Sequence, residues 1–117
     1  MSQPPPGAVL SLRIDLPGGL RIGPGKVRLL EEIAARGSIS AAGRSLRMSY
    51  RRAWELVETL NAGLAAPVVE TAAGGAGGGG ARLTPAGEAV IRHYRAVERA
   101  AGAAAAPELD ALRRLMP

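Results

Sequence analysis

Apolar and polar positions alternate near the start of the chain and then change period. Leu10, Leu12, Ile14 and Leu16 are separated by Ser11, Arg13 and Asp15, the period of two of a half-buried strand. Pro17-Gly18-Gly19 interrupts the run, and Leu20-Arg21-Ile22 reads as a short returning strand that completes a hairpin. From Gly23-Pro24-Gly25 the period lengthens. Pro24 is tolerated in a first helical turn, and Val27, Leu30, Ile33 and Ala34 form the buried stripe of a helix that stops at Gly37. Glycine takes the left-handed conformation that commonly ends a helix. Ser40 reads as the N-cap of a short helix over about residues 41–46, Arg47-Met48 as a tight connection, and Ser49 as the cap of a helix over 50–63. On that helix Ala53, Val57, Leu60 and Leu64 share one face, with Arg51, Glu55 and Glu58 opposite.

Pro67 stops the helical pattern. Residues 68–71 read as a strand, the glycines at 74, 75 and 77–80 resist regular structure, and Ala81-Arg82-Leu83 reads as the returning strand. Thr84 caps a last long helix with Pro85 at its first position, running to about Ala106. Pro107 is expected to break it, leaving 107–117 as a tail or one short helix. Along the long helix Val90, Tyr94, Val97, Ala101 and Ala104 recur at alternating spacings of four and three, a coiled-coil-like seam, while Arg92, Arg95 and Arg99 lie away from it. The seam packs on the domain's own core or on a second subunit. A helix this long on so small a core favours dimerisation through Val90, Tyr94, Val97 and Ala101, with the N-terminal hairpin a candidate partner in the same interface.

Two short helices joined by a tight turn suggest a helix-turn-helix. Ala42 and Leu46 can pack on Ala53 and Val57, Met48 plugs the corner, and Gly43 stands where the helices come closest. The fold class expected is mostly α with a small β wing: a winged helix-turn-helix over 8–106, with an N-terminal β-hairpin, a dimerisation helix from 85 to 106 and a disordered lead-in over 1–7. In 117 residues a second domain of ordinary size does not fit.

Charge then points to a partner. The formal charge is +5, from 15 basic and 10 acidic residues, and Lys26 is the only basic side chain that is not Arg. Arginine suits phosphate and guanine edges. Composition alone is equally that of a GC-rich genome, so position decides. Arg44, Arg47, Arg51 and Arg52 gather around the start of the second helix of the motif, where Ser49 and Tyr50 also stand. A recognition helix meets base edges with its N-terminal residues, and its free amides favour a phosphate. The alternative is a solvated face, with Arg51 and Glu55 paired at i,i+4. Trp54, one turn after Tyr50, either flanks the core or donates its indole N–H to a phosphate. Ser38 and Ser40 precede the short helix. Gly77, Gly78, Gly79 and Arg82 belong to a hairpin that would lie along the DNA backbone or minor groove, although the glycines taken alone read as a flexible loop without a partner. The glycines lead into Ala81-Arg82-Leu83 rather than Gly-Lys-Ser/Thr and a helix, so they are no nucleotide phosphate loop.

Other classes recede. There is no Cys, which excludes disulfides, thiolate metal sites and cysteine nucleophiles. His93 is the only histidine, expected at a solvent-facing position with no carboxylate cluster beside it, so no nucleophile–base arrangement is visible and neither enzyme nor cofactor is expected. No apolar run reaches the roughly 20 residues of a membrane span. The Pro-rich start is no signal peptide. A cytoplasmic protein without membrane contact is the expectation.

On these residues the sequence resembles the N-terminal DNA-binding domain of the ModE family of molybdate-responsive bacterial regulators. The matching stretches are Gly37-Ser38-Ile39-Ser40, the run from Met48 to Trp54, the glycine tract over 71–81, Leu83-Thr84 and Gly87. The likeness covers about residues 8–100. The broader LysR-type family shares the helix-turn-helix and the Leu-Thr-x-x-Gly start of the last helix, but not this wing. The resemblance implies a winged helix, a homodimer and a palindromic double-stranded operator. It carries over Ser49, Tyr50 and Arg51 as recognition residues and the wing with Arg82 as a backbone contact. In that family molybdate is held by separate C-terminal domains, so no molybdate bound directly by this chain is expected. A second reading is a protein-interaction module that heterodimerises with a full-length regulator and modulates it.

Overall fold

The computed structural model describes residues 7–72 and 80–117. Residues 1–6 of the lead-in read over 1–7, and the wing-tip glycines Gly77, Gly78 and Gly79, lie outside them. Strands β1 (Ile14–Asp15) and β2 (Arg21–Ile22) form an antiparallel hairpin across a tight turn at Pro17–Gly19. Helices α1 (Pro24–Arg36), α2 (Ile39–Ser45) and α3 (Tyr50–Gly63) follow, then the antiparallel pair β3 (Val69–Thr71) and β4 (Ala81–Leu83), then α4 (Pro85–Arg113). The order is the one read from the sequence, and the fold is a winged helix-turn-helix.

The first strand is shorter than its alternation suggested. Leu10, Leu12, Ile14 and Leu16 are half-buried and Ser11, Arg13 and Asp15 exposed, yet only Ile14 and Asp15 pair with β2. The preceding stretch instead packs along α4, with Gly7–Leu10 facing Gly102, Ala106 and Leu109. The period of two records which side of an extended segment is covered, not what covers it.

The core joins Val27, Leu30 and Ile33 of α1 with Ala42 of α2, Ala53 and Leu60 of α3, Val68 beside β3 and Tyr94 of α4. Two expectations for α1 are corrected. Leu29 is fully buried and Ala34 is exposed. Helix α1 packs on α2 and α3 on one side and on β4 and α4 on the other, so its covered arc is wider than one stripe. Gly37 ends the helix with φ 75°, and its N–H donates to the Ile33 carbonyl at 2.8 Å.

The cap of α2 is also corrected. Ser38, not Ser40, precedes the helix, its Oγ accepting from the Ala41 N–H at 3.0 Å. Starting at Ile39 places that side chain in the core, which a cap at Ser40 would leave in the approach.

Thr84 fixes the entry to α4. Its Oγ accepts from the Gly87 N–H at 3.1 Å and donates to the Pro67 carbonyl at 2.6 Å, while its own N–H donates to the Val68 carbonyl at 3.0 Å. A Cβ on Gly87 would overlap the Val68 carbonyl, so only glycine lets α4 approach β3 this closely.

Helix α4 does not break at Pro107; it continues through it to Arg113. Proline there removes one N–H bond to the carbonyl four residues earlier. That carbonyl belongs to exposed Ala103, where water can serve it, and the flanking alanines leave room for the ring. Only Gly87 and Tyr94 of this helix are buried, so most of it projects from the core. The radius of gyration is 17.0 Å, against roughly 13 Å for a compact chain of this length.

Candidate nucleic-acid interface

Helices α2 and α3 pack at a close crossing. A Cβ on Gly43 would lie 3.2 Å from the Ala53 Cβ and 3.5 Å from the Met48 carbonyl oxygen, so the small residue sits where the helices need it. The turn between them is closed by hydrogen bonds from the Arg47 N–H to the Arg44 carbonyl at 3.1 Å and from the Met48 N–H to the Gly43 carbonyl at 3.0 Å. Arg47 takes φ 58° to make this turn, a conformation that costs a residue with a Cβ about 1–2 kcal/mol.

Ser49 caps α3 as expected, its Oγ accepting from the Arg52 N–H at 3.0 Å. The start of the helix is left open to solvent: Tyr50, Arg51, Arg52 and Trp54 are all exposed. Arg51, with 89% of its side chain exposed, reaches Glu55 at 3.1 Å. Ser40 Oγ accepts from the Arg44 guanidinium at 2.8 Å. Ser38 and Ser40 are both half-buried beside the short helix.

The wing is tied to this surface at its base. The Ala81 N–H donates to the Gly37 carbonyl at 2.8 Å, one residue before the α2 cap. Arg82 points out from β4 and meets Glu70 of β3 at 3.5 Å. Gly37, Thr71, Gly80 and Arg82 thus line one shallow hollow at the wing's root.

The cations sort into two groups. Arg36, Arg51, Arg82, Arg95, Arg113 and Arg114 each meet a carboxylate, as do Arg13 and Arg21 through Asp15. Among the described residues Lys26, Arg28, Arg44, Arg47 and Arg52, all on α1 to α3 or the turn, meet none, nor do Arg92 and Arg99 of α4. Lys26 and Arg28 were not singled out by the sequence. Their place beside the helix-turn-helix turn comes from tertiary packing of α1, for which the local pattern carries no signal. Burial, then the charges of Arg52 and Arg21, push the Lys26 ammonium below its ordinary pKa.

The expected seam on α4 divides. Tyr94 belongs to the chain's own core: it is 2% exposed, and its hydroxyl donates to the Leu12 carbonyl at 2.8 Å. It is therefore not free for a partner. Val90 and Ala101 are half-buried and Val97 is 44% exposed. Val90, Val97 and His93 border an apolar groove of about 240 Å³ whose other wall is Ile14, Leu16 and Ile22 of the hairpin. His93 is exposed. Arg95, away from the seam, is clamped by Glu31 of α1 at 2.6 Å and Glu98 at 2.7 Å, and these hydrogen bonds raise its already high pKa.

Among the described residues no three His, Cys, Asp or Glu side chains are placed to hold a metal ion, and no helix is long and apolar enough to cross a membrane.

The family model for bacterial regulatory helix-turn-helix proteins of the lysR family matches residues 25–88, from the start of α1 through the wing to the first turn of α4. The chain belongs to the lysR family. Among its relatives are the molybdenum-pterin-binding protein MopB of Rhodobacter capsulatus, 54% identical over 68% of this chain and 30% of MopB, and MopA of the same organism, 42% identical over 79% of this chain and 35% of MopA. The transcriptional regulator ModE of Haemophilus influenzae is 40% identical over 75% of this chain and 34% of ModE. The ModE-like resemblance read from the sequence therefore holds. This lysR-family chain spans about a third of the length of the curated relatives it matches. In fold it is similar to the CbnR DNA-binding domain solved with DNA, at a TM-score of 0.57 and 24% identity over 76% of this chain and 97% of that one.

Proposed function

We propose that this chain is the DNA-binding part of a dimeric, sequence-specific transcription regulator acting in the bacterial cytoplasm, with α3 as recognition helix and the β3–β4 hairpin as wing. The observation that carries this reading is the open, Ser49-capped start of α3, where Tyr50, Arg51 and Arg52 stand clear of the core. Ser49, Tyr50 and Arg51 reach base edges. Ser38, Ser40, Arg44, Arg47, Arg52 and Trp54 hold phosphates, and Arg82 follows the backbone from the wing. The Arg51–Glu55 pair does not compete seriously, because an exposed i,i+4 pair contributes only about 0.3–0.5 kcal/mol.

Two copies meet through the apolar groove between α4 and the hairpin, using Val90 and Val97, with Ala101 one turn further along the helix. Its apolar lining and the exposed Val97 support this. The names of the relatives further support an operator that governs genes of molybdenum handling.

Footprinting on genomic fragments tests the reading. It predicts protection of two half-sites about one helical turn, roughly 10 bp, apart, beside genes of molybdate transport. A uniform, sequence-independent footprint would refute sequence specificity. Recovery of the chain only as a heterodimer with a longer regulator would replace the homodimer.

A further inference from the structure

Helix α3 offers two flanks to whatever its open start enters. Tyr50, Trp54, Val57 and Asn61 form one row, which points to the wing: the Asn61 Oδ1 accepts from the Val68 N–H, just before β3, at 2.8 Å. Arg52, Leu56, Thr59 and Gly63 form the opposite row, which points to the N-terminal hairpin: a Cβ on Gly63 would lie 3.0 Å from the Leu20 side chain. On that second side the first turn of α1 meets the helix-turn-helix turn, and Gly25, Arg28, Leu46, Arg47 and Met48 line a shallow depression between them. Lys26, in the same first turn of α1, has its Nζ donating to the Arg21 carbonyl at 2.6 Å and lies close enough to Arg52 to feel its charge. That leaves two of the three ammonium donors unassigned.

We propose that Lys26 and Arg28, together with Arg47 and Arg52, grip the DNA phosphate backbone on the side of the recognition helix away from the wing. The proposal rests on the DNA-binding reading of α3 and extends it to α1. Like charges held together without a carboxylate repel one another in the free protein, and a phosphate between them removes that repulsion. Among the described residues no carboxylate pairs with any of these four side chains. The lowered pKa of Lys26, from burial and then from Arg52 and Arg21, fits a site awaiting an anion. Arg47, held in the left-handed turn conformation, lines the same depression as Arg28. The duplex is thus straddled: Arg82 of β4 holds one strand's phosphates and the α1 start holds the other's.

The full chain carrying Lys26→Gln and Arg28→Gln tests this against a random-sequence duplex of about 30 bp, with affinity followed across salt concentrations by fluorescence anisotropy. The double variant is expected to bind about tenfold more weakly near 0.1 M salt, and the slope of log affinity against log salt is expected to shrink by about two. Operator and random duplex lose equally, because phosphates carry no sequence. Unchanged affinity and slope in a variant that melts like the parent would overturn the grip and leave the DNA-binding reading standing. No duplex binding by the parent chain at about 50 mM salt would overturn both. Lys26, the only lysine in the chain, gives a second readout without mutation. Its acetylation by an amine-selective reagent is expected to slow severalfold when duplex is added. Equal rates with and without duplex would overturn the contact.

Discussion

Helix α4 and the surface around the start of α3 both carry several arginines, and most of them are used in opposite ways. On α4, Arg95 is locked between Glu31 and Glu98, and Arg113 and Arg114 share Asp110. Around the start of α3, Arg44, Arg47 and Arg52 meet no carboxylate among the described residues, and Lys26 and Arg28 join them from α1. The difference separates cations that serve the fold from cations left over for a polyanion. A guanidinium clamped in the fold between two carboxylates, as Arg95 is, has little to offer a phosphate, whereas an unneutralised cluster, or an exposed and loosely paired arginine such as Arg82, gains from each phosphate it meets by releasing the counterions that DNA holds. Arg51 stands between the two groups, exposed yet paired to Glu55 at i,i+4. Among the described residues Arg92 and Arg99 of α4 meet no carboxylate either, but they are far in sequence from the helix-turn-helix.

Substitutions can break or sharpen that contrast. The largest effect is expected from Arg51→Ala. If Arg51 reads a base, operator affinity falls by about 1–3 kcal/mol while random-duplex affinity changes little, and the melting temperature stays within a degree or two. Equal losses on both duplexes, measured by parallel titration, would reassign Arg51 to the phosphates. Arg95→Ala is expected to do the reverse. It leaves Glu31 and Glu98 without their shared partner and lowers stability by about 1–2 kcal/mol, read from the denaturant midpoint, with DNA affinity intact in the folded variant.

A smaller effect follows from pH. The Lys26 ammonium is already pushed down by burial, by Arg52 from α3 and by Arg21 from β2, which itself faces Asp15. A bound phosphate favours the charged form, so binding takes up a proton as pH rises through the free-state pKa, and affinity drops above it. Replacement of Lys26 by Gln should flatten that high-pH fall by a few-fold in an anisotropy titration. The smallest effect belongs to Arg113→Ala, an exposed pair near the end of α4, which should change stability by under about 0.5 kcal/mol and DNA affinity not at all.

Much of the fold was legible because local chemistry fixed it. Ser49 as cap, the boundaries of α3, Gly37 in its left-handed stop and Thr84-Pro85 at the start of α4 all follow from residue types that satisfy free backbone groups or set φ. The misreadings share a cause. Ser38 and Ser40 cap equally well as side chains, and burial of Ile39 decides between them. Leu29 replaces Ala34 because α1 is covered from two sides. Pro107 stands within α4 because the one carbonyl it leaves without a donor belongs to exposed Ala103, where water can serve it. Of the candidate site, the Arg44–Arg52 cluster was readable from its position at a helix start. Lys26 and Arg28 were not, because only the packing of α1 beside the turn brings them there. Tyr94 fits the periodic seam, but it is buried in the chain's own core, and the Leu12 carbonyl takes its hydroxyl.

The most direct test is a titration of the isotope-labelled chain with a duplex recovered by selection from random sequence, followed by amide NMR. The account predicts that the largest shifts fall on Ser38–Ser40, Arg47–Arg52 and the first turn of α1, with the Arg113 end of α4 silent. Shifts confined to α4 and the hairpin groove, with the start of α3 unmoved, would contradict it.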